Sequence, residues 1–403
     1  MNKSLWSLTA VALLVGAHAL PARAAEYITT NRTVAGGNPL NDNHNGSSVF
    51  VGVNSAFTQF PTVQVDVVDP ASFGYNDQTG GGILVYGDST LNVLGGTFGV
   101  SGGTGAPGGG ISLNGTSHGF VSGGDINYLY LNGAAPGAGG ATATVTGGII
   151  SAGNRIISQV INGTLNVSGG TIFASSGQPG IAGGPGSVVN ISGGQVRSAS
   201  GSGIFLSDPS ALLSVTGGTI TGAGTSAQQR GIYLDSLAHP AAITGGTING
   251  GITSSIFGNP TSVQASIGGS ATVSNGVFAY GNAQVDVFGG NFGVEYASAA
   301  SFLAMGDQTI NFYGSNLVLS APTPGSVFDT NNITGNFYTF LSGTFQDGQS
   351  AVGLRLFDAT GVGAAGGFTL NGPTSAPEPS ALALLLVPAL LGTLRLCQRS
   401  PAR

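Results

Sequence analysis

The sequence predicts an all-β chain: a parallel β-helix solenoid of about nine coils, with β-rich N- and C-terminal caps and one apolar helix at the C-terminus. Three observations lead there. A Gly-Gly pair recurs at Gly95, Gly123, Gly147, Gly169, Gly193, Gly217, Gly245, Gly268 and Gly289, at intervals of 21 to 28 residues. The flanks of the pair repeat with it, which is the signature of a stacked repeat fold. Composition excludes the rival classes. With 72 Gly in 403 residues helices are disfavoured, because an interior Gly costs about 1 kcal/mol there. Charged residues are 6% of the chain and mean hydropathy is +0.28, which argues against disorder.

The first element is a targeting segment. Lys3 opens a positive region, Leu5 to Leu20 is mostly apolar, and Ala22-Arg23-Ala24 supplies an A-x-A cleavage site. Residues 1–24 therefore read as a secretory signal peptide, cleaved after Ala24, and not as a membrane anchor. Residues 25–80 lack the regularly spaced series of pairs. Val63, Val65 and Val67 alternate with Gln64 and Asp66, so a strand closes this segment and starts the rod. Because the first coil of a solenoid is an open sheet edge, residues 25–80 are assigned as an N-terminal cap.

Residues 81–295 carry the repeats. Two residues before the pair stand Val93, Val121, Val145, Val167, Ile191, Val215, Ile243 and Val287. The Gly268 repeat departs, with Ser266 there and Ile267 next to the pair. Three residues after the first Gly come Phe98, Ile126, Ile150, Ile172, Val196, Ile220, Ile248, Ala271 and Phe292. Upstream, Leu91-Asn92-Val93, Leu165-Asn166-Val167 and Val189-Asn190-Ile191 alternate with period two, the mark of a half-buried strand. Gly82-Ile83-Leu84-Val85, Gly110-Ile111-Ser112-Leu113, Gly203-Ile204-Phe205-Leu206 and Gly231-Ile232-Tyr233-Leu234 supply a further strand. Each repeat thus reads as three short strands, with a sharp turn at Gly-Gly, where φ > 0 is tolerated. Coils stacked at about 4.8 Å give a rod of roughly 43 Å. Ser122, Thr146, Ser168, Ser192, Thr216 and Thr244 are expected to line its outside.

Residues 296–372 are more aromatic and read as a C-terminal β cap and linker. Asp347-Gly348 between β-rich runs is a hairpin signal. Gly361 to Gly367 and Gly372 to Ser375 read as flexible linker. Residues 373–403 form the last element. Pro377-Glu378-Pro379 precedes an uncharged run from Ala381 to Leu394, followed by Arg395, Arg399 and Arg403. At about 1.5 Å per residue the run makes roughly 21 Å of helix, against about 30 Å of hydrocarbon. Snorkelling of Arg395 and the addition of Leu396 extend it to a short transmembrane segment, 381–396.

Charge and side-chain chemistry narrow the function classes. Without the two targeting ends the chain has five Arg against 15 Asp and Glu, a net of −10, which disfavours nucleic acid. Lys3 is the only lysine, and the only cysteine, Cys397, lies in the tail, so no disulfide or Cys-ligated zinc is expected. His44, His118 and His239 lack metal-ligand spacing. Asp88, Asp208 and Asp235 each follow a Gly-Ile strand, but at offsets of five, four and three residues, and read as turn residues. Arg155, Arg197 and Arg230 read as solvated surface arginines. Gly103 to Gly108 matches G-x-G-x-x-G, but no helix pattern follows it. Gly183 to Val188 has Val188 where a calcium-binding nonapeptide requires Asp. No catalytic residue, cofactor or metal is expected.

The order Pro-Glu-Pro, short apolar helix, Arg-rich end resembles the PEP-CTERM sorting signal of Gram-negative bacteria, over Pro377 to Arg403 only. Gly343 to Gly348 is similar to the G-x-L-x-D-G segment that precedes such tails, with Phe345 in the Leu position. The coils are similar to the β-helix repeats of autotransporter and pectate-lyase-like proteins, and the resemblance implies right-handed coiling. The sorting-signal resemblance implies recognition by exosortase, a membrane transpeptidase-like protease, and a host that makes exopolysaccharide. The expectation is an exported, transiently membrane-anchored, non-enzymatic surface or matrix protein, structural or adhesive in biofilm. Its expected partners are exosortase, exopolysaccharide and neighbouring surface proteins. The alternative is a polysaccharide-active lyase or hydrolase on the same scaffold.

Overall fold

A computed structural model describes residues 26–34, 49–53, 62–69, 82–98, 110–134, 140–152, 158–175, 177–223, 230–256, 263–281, 283–293, 301–306, 309–320, 323–324, 337–358 and 367–373. The cleavage-site residues Ala22 and Ala24 lie outside the described residues. So do Pro377, Glu378, Pro379, the 381–396 segment and Arg395, Arg399 and Arg403. Among the described residues there is no helix and none long and apolar enough to cross a membrane.

The chain is an all-β parallel solenoid. One coil runs through Ser158–Ile161, Gly163–Val167 and Thr171–Ala174, and the next through Ile181–Gly183, Val188–Ile191 and Gln195–Ser198. Each strand pairs in parallel with its counterpart one coil on: Ile181 with Ile204, Val167 with Ile191, Ile172 with Val196. The strand after the glycines stacks through eight successive pairings, from Thr97–Phe98 to Asn291–Phe292, a solenoid of about eight turns.

The interior follows from strand alternation. Val93, Val121, Val145, Val167, Ile191, Val215, Ile243, Ile267 and Val287 are direct register partners and are buried. A second column runs from Phe98 through Ile126, Ile150, Ile172, Val196, Ile220 and Ile248. Parallel stacking puts like side chain on like, so β-branched residues meet β-branched residues at one spacing.

The two glycines of each pair have different duties. A Cβ on the first would overlap the carbonyl oxygen of the residue before the pair in the preceding coil: Ser122 for Gly147, Thr146 for Gly169, Ser168 for Gly193. The second needs left-handed backbone, with φ of 74° at Gly148, 72° at Gly170 and 72° at Gly194. Only Gly adopts this at no steric cost.

Three details differ from the sequence reading. At most pairs the strand ends before the glycines and a new one starts after them, as at Thr90–Val93 and Thr97–Phe98, but two coils depart. In Leu212–Thr221 and Ala241–Asn249 a single strand runs through the pair, with a register shift there. The Gly268 repeat keeps its columns by sliding: Ile267 takes the Val slot, and Val273, not Ala271, pairs with Ile248 and Phe292. Strands Leu129–Gly133 and Ile181–Gly183 lack the Gly-Ile-x-apolar marker yet stand in the same ladder.

The parallel ladders run beyond 81 and 295. Glu26–Ile28 pairs with Val49–Val51 and that with Gly82–Val85, while Arg32–Val34 pairs with Gln64–Val67. At the other end Phe337–Phe345 runs antiparallel to both Thr309–Leu319 and Leu354–Asp358. Asp347-Gly348 forms the turn after Phe337–Phe345, Gly348 donating to the Phe345 carbonyl at 2.9 Å. Here the inner columns end in rings. Phe302 packs on Phe292 at 4.7 Å and on Phe312 at 4.9 Å, with Phe345 and Phe368 beyond.

These contacts set a prediction. Gly193→Ala should lower stability by about 1–3 kcal/mol through overpacking. Gly184→Ala, whose Cβ would meet only ordinary contacts starting at 3.5 Å, should stay within about 0.5 kcal/mol of the parent. Thermal unfolding of the two variants checks this; equal midpoints would refute the stacking role of the first glycine.

Candidate binding surface

The outer face of the repeat strands is built from the positions that alternate with the core. One outward column runs Asp66, Asn92, Phe120, Thr144, Asn166, Asn190, Ser214, Ala242, Ser266, Asp286 and Asn311, polar except at Phe120 and Ala242. Its amides bond from coil to coil. Asn92 Nδ2 donates to Asp66 Oδ1 at 2.6 Å, Asn190 Nδ2 to Asn166 Oδ1 at 2.8 Å, and Asn311 Nδ2 to Asp286 Oδ1 at 2.7 Å. The tetrapeptide Gln-Val-Asp-Val occurs at 64–67 and again at 284–287, each time facing an Asn one coil on.

A second column is the Ser/Thr series anticipated from the sequence. Ser122, Thr146, Ser168, Ser192, Thr216 and Thr244 are all exposed. Ser122, Thr146 and Ser192 hydroxyls donate to the carbonyls of Val93, Val121 and Val167, each at 3.4 Å, long for such bonds. Apolar residues interrupt the polar face at Leu94 and Phe120, which are about half exposed.

The acids do not converge. Asp88 accepts from the Thr116 hydroxyl, and Asp208 caps its own turn by accepting from the Ser210 amide at 2.8 Å, the Asx-turn use of aspartate. Asp235 is the last residue of strand Ile232–Asp235, with Ser236 Oγ at 3.0 Å. It pairs with Ser255, and the pairing of Leu206 with Leu234 places it level with Ser207, not Asp208. His118 and His239 are exposed. Groups of three or more potential metal ligands are absent among the described residues. His44 and Arg155 lie outside them.

Arginine is where the sequence reading needs correction. Arg197 is exposed as expected, its guanidinium 4.0 Å from the Phe173 ring centre. Arg230 is not a solvated surface residue: it is 4% exposed and lies 4.0 Å from the Phe278 ring centre. Phe278 is buried with Leu303 and Phe357, and these three are register partners on the outward side of the Gly-Ile strands. The outer face of that sheet is therefore apolar and covered here, which removes Arg230 from water.

The same outward column holds aromatic stacks elsewhere. Tyr27 stacks on Phe50 at 5.1 Å and Phe205 on Tyr233 at 5.3 Å, with ring planes 13° apart in the second pair. The pair Phe205–Tyr233 borders a cleft of about 250 Å³ that also takes in Gly177, Pro179, Ser202 and Asp235. The signal for it stood in the x position of Gly-Ile-x-Leu, occupied by Phe205 and Tyr233, which went unread because the flanking apolar residues drew the pattern.

Burial pushes the Tyr86 phenol above its ordinary range. Burial and, next, the Asp286 carboxylate do the same at Tyr313, which stacks on Phe288 at 4.4 Å.

Comparison with protein-family models, curated proteins and solved structures returned no match.

Two outcomes follow. Arg230→Ala should cost about 1–3 kcal/mol through lost packing on the buried Phe278 ring, and Arg197→Ala only about 0.5–1 kcal/mol, measured by denaturant unfolding. Equal losses would contradict the buried placement of Arg230. The stabilisation linked to a raised phenol pKa is fully present below the ordinary value of 10.0 and is lost as pH rises from there through the higher value of the folded state. Stability should therefore fall in the alkaline range above about pH 10, and Tyr313→Phe should flatten the fall. An unchanged alkaline slope in that variant would count against the burial of the phenol.

Proposed function

We propose that this protein is an exported, non-enzymatic rod of the bacterial surface or exopolysaccharide matrix, structural or adhesive in biofilm. The observation that carries the reading is the outer face of stacked Asn, Ser and Thr columns. It presents polar groups at most coils, broken by Leu94, Phe120 and Ala242, carries few charges, and offers hydroxyls whose coil-to-coil bonds are long. A neutral polymer of hydroxyls can match such a face by many weak hydrogen bonds, since breaking water contacts of neutral groups costs far less than desolvating ions.

Route and destination rest on the two ends of the chain. The 1–24 signal peptide supports export. Pro377-Glu378-Pro379, the helix over 381–396 and Arg395, Arg399 and Arg403 support transient inner-membrane anchoring and processing by an exosortase-type transpeptidase. On this reading the coils are right-handed and about nine in number, the 25–80 and 296–372 segments serve as caps, and no cofactor or nucleic acid takes part.

A second reading, a polysaccharide lyase or hydrolase, is favoured by one observation: Asp235 stands in the Phe205–Tyr233 cleft. Among the described lining residues it is the only acid, and glycoside hydrolysis ordinarily needs two carboxyls about 5–9.5 Å apart.

Deleting the gene and fractionating the biofilm separates these readings. The expected results are a weakened matrix and, in the parent strain, recovery of the protein with it. Replacing Pro377-Glu378-Pro379 with alanines should leave the protein in the inner membrane. Unchanged biofilm with the protein free in the medium would overturn the proposal. Degradation of the host's own exopolysaccharide that is abolished by Asp235→Asn would install the enzyme in its place.

A further inference from the structure

We infer that the Phe205–Tyr233 cleft is a subsite for one neutral hexopyranose ring. The inference rests on the matrix reading above and names where on the rod a sugar is held individually.

The cleft arises from a break in the outward column of the Gly-Ile strands. Phe205 stacks on Tyr233 on one side, and its register partner on the other side is Ala182, so the line of rings ends there. The residues bordering the space are Phe205, Tyr233, Ser202, Asp235 and the short loop that carries Gly177 and Pro179. The loop is tied to the next coil. Ser198 Oγ donates to the Gln178 carbonyl at 2.7 Å and Gly180 N–H donates to the Ser202 carbonyl at 3.1 Å. Pro179 has its φ set by its own ring. The wall is therefore formed before a ligand arrives, which lowers the entropic penalty of binding.

Shape and chemistry both point to a sugar. At about 250 Å³ the space falls below the roughly 300–1,000 Å³ of drug-sized pockets and suits a single ring. A pyranose has an apolar C–H face and a rim of hydroxyls. Phe205, partly exposed, supplies the apolar ring surface with the buried Tyr233 stacked behind it, and Ser202 and Asp235 supply a hydroxyl and a carboxylate at the border. Asp235 already takes one bond from Ser236 Oγ at 3.0 Å, which holds the carboxylate in place with further lone pairs to offer. A carboxylate accepting from sugar hydroxyls makes a charge-assisted bond, stronger than a neutral one. The same carboxylate disfavours uronic acids and phosphorylated sugars. A cation in an aromatic box is the competing ligand chemistry, but the two rings are nearly parallel, with planes 13° apart. They form one stack, not the converging walls that surround a quaternary ammonium.

The test uses the full exported chain and saturation-transfer NMR with methyl glucoside, methyl galactoside and methyl mannoside, each as the neutral pyranoside. Galacturonate and tetramethylammonium serve as the charged probes. At least one neutral glycoside should show transfer to its ring C–H protons, with a dissociation constant on the order of 1 mM. Phe205→Leu, which keeps apolar volume but removes the flat ring, should weaken binding about fivefold or more. Asp235→Asn should weaken it less, and both variants should keep the parent's thermal midpoint. No transfer to any of the three glycosides overturns the inference. So does binding that Phe205→Leu leaves unchanged, or preferential binding of galacturonate or tetramethylammonium. Matrix retention distinguishes the two levels. If the parent is retained and no glycoside binds, the outer-face reading stands and the cleft does not. If a glycoside binds in the cleft while the parent is never retained, the subsite stands and the matrix reading does not.

Discussion

Everything in this rod depends on how closely one coil can lie on the next at the Gly-Gly step. Parallel strands need a backbone spacing of about 4.8 Å, and at the corner after the Asn strand the chain must bend without opening that distance. The first glycine makes the approach by having no Cβ to meet the carbonyl of the preceding coil, as Gly193 does against Ser168. The second makes the bend by taking φ near 72° at Gly194. One residue type answers both demands, which explains why the pair recurs as a pair. The consequences spread along each coil. With the corner fixed, Val167 must face Ile191 and Ile172 must face Val196, so the interior becomes columns of like residues.

A stacked array has to stop somewhere, and its ends show how. Near the N-terminal end Asp69 Oδ1 accepts from the Gly96 amide at 2.5 Å, and near the other end Asp347 Oδ2 accepts from the Gly290 amide at 3.2 Å. Both aspartates are exposed, and each serves a glycine amide at the first or last repeating corner. In the neighbouring outward column Asp66 and Asp286 likewise receive Asn92 and Asn311. Carboxylates suit these places because they accept several bonds and remain hydrated. Inside, Phe292, Phe302, Phe312 and Phe345 fill the last coil, where small β-branched residues would leave the core open to water. Like-on-like stacking accounts for the middle of the rod, and charge or ring size accounts for its ends.

The solenoid was legible because its determinants are local and repeated. A one-residue slip would turn every inward Val outward, so the alternation around Asn92, Asn166 and Asn190 could be read directly. Strands such as Leu129–Gly133 escaped because a column tolerates one member without the Gly-Ile marker when its neighbours hold the register. The slide from Ala271 to Val273 escaped for the same reason: the strand pairs by position in space, and the sequence offset from the glycines changed by two residues. Of the surface, the Ser/Thr column could be read from spacing alone. The burial of Arg230 and the Phe205–Tyr233 cleft could not, since both depend on which outward residues are covered by chain from other coils. Outward positions repeat in spacing but vary in residue type, so the x positions of Phe205 and Tyr233 mark a column without saying what covers it.

That freedom bears on how such a rod can work. The interior fixes the spacing of the outer columns regardless of what stands in them, so Asn, Thr or Ser can vary while the repeat distance does not. A ligand that is itself a repeating polymer would then meet an outward side chain, polar at most coils, at a constant repeat distance. Each contact contributes little, but once one is made the next is intramolecular, and the effective concentration of the second contact replaces the bulk one. With few charges on the face, this attraction depends weakly on salt, unlike binding driven by ions, which is screened within about 8–10 Å at ordinary ionic strength. On the proposed reading, a rod that holds neutral polymer in a variable medium would gain more from such a face than from a few strong charged contacts. The low charge of the chain and the glycine-set repeat are on this view two parts of one physical solution.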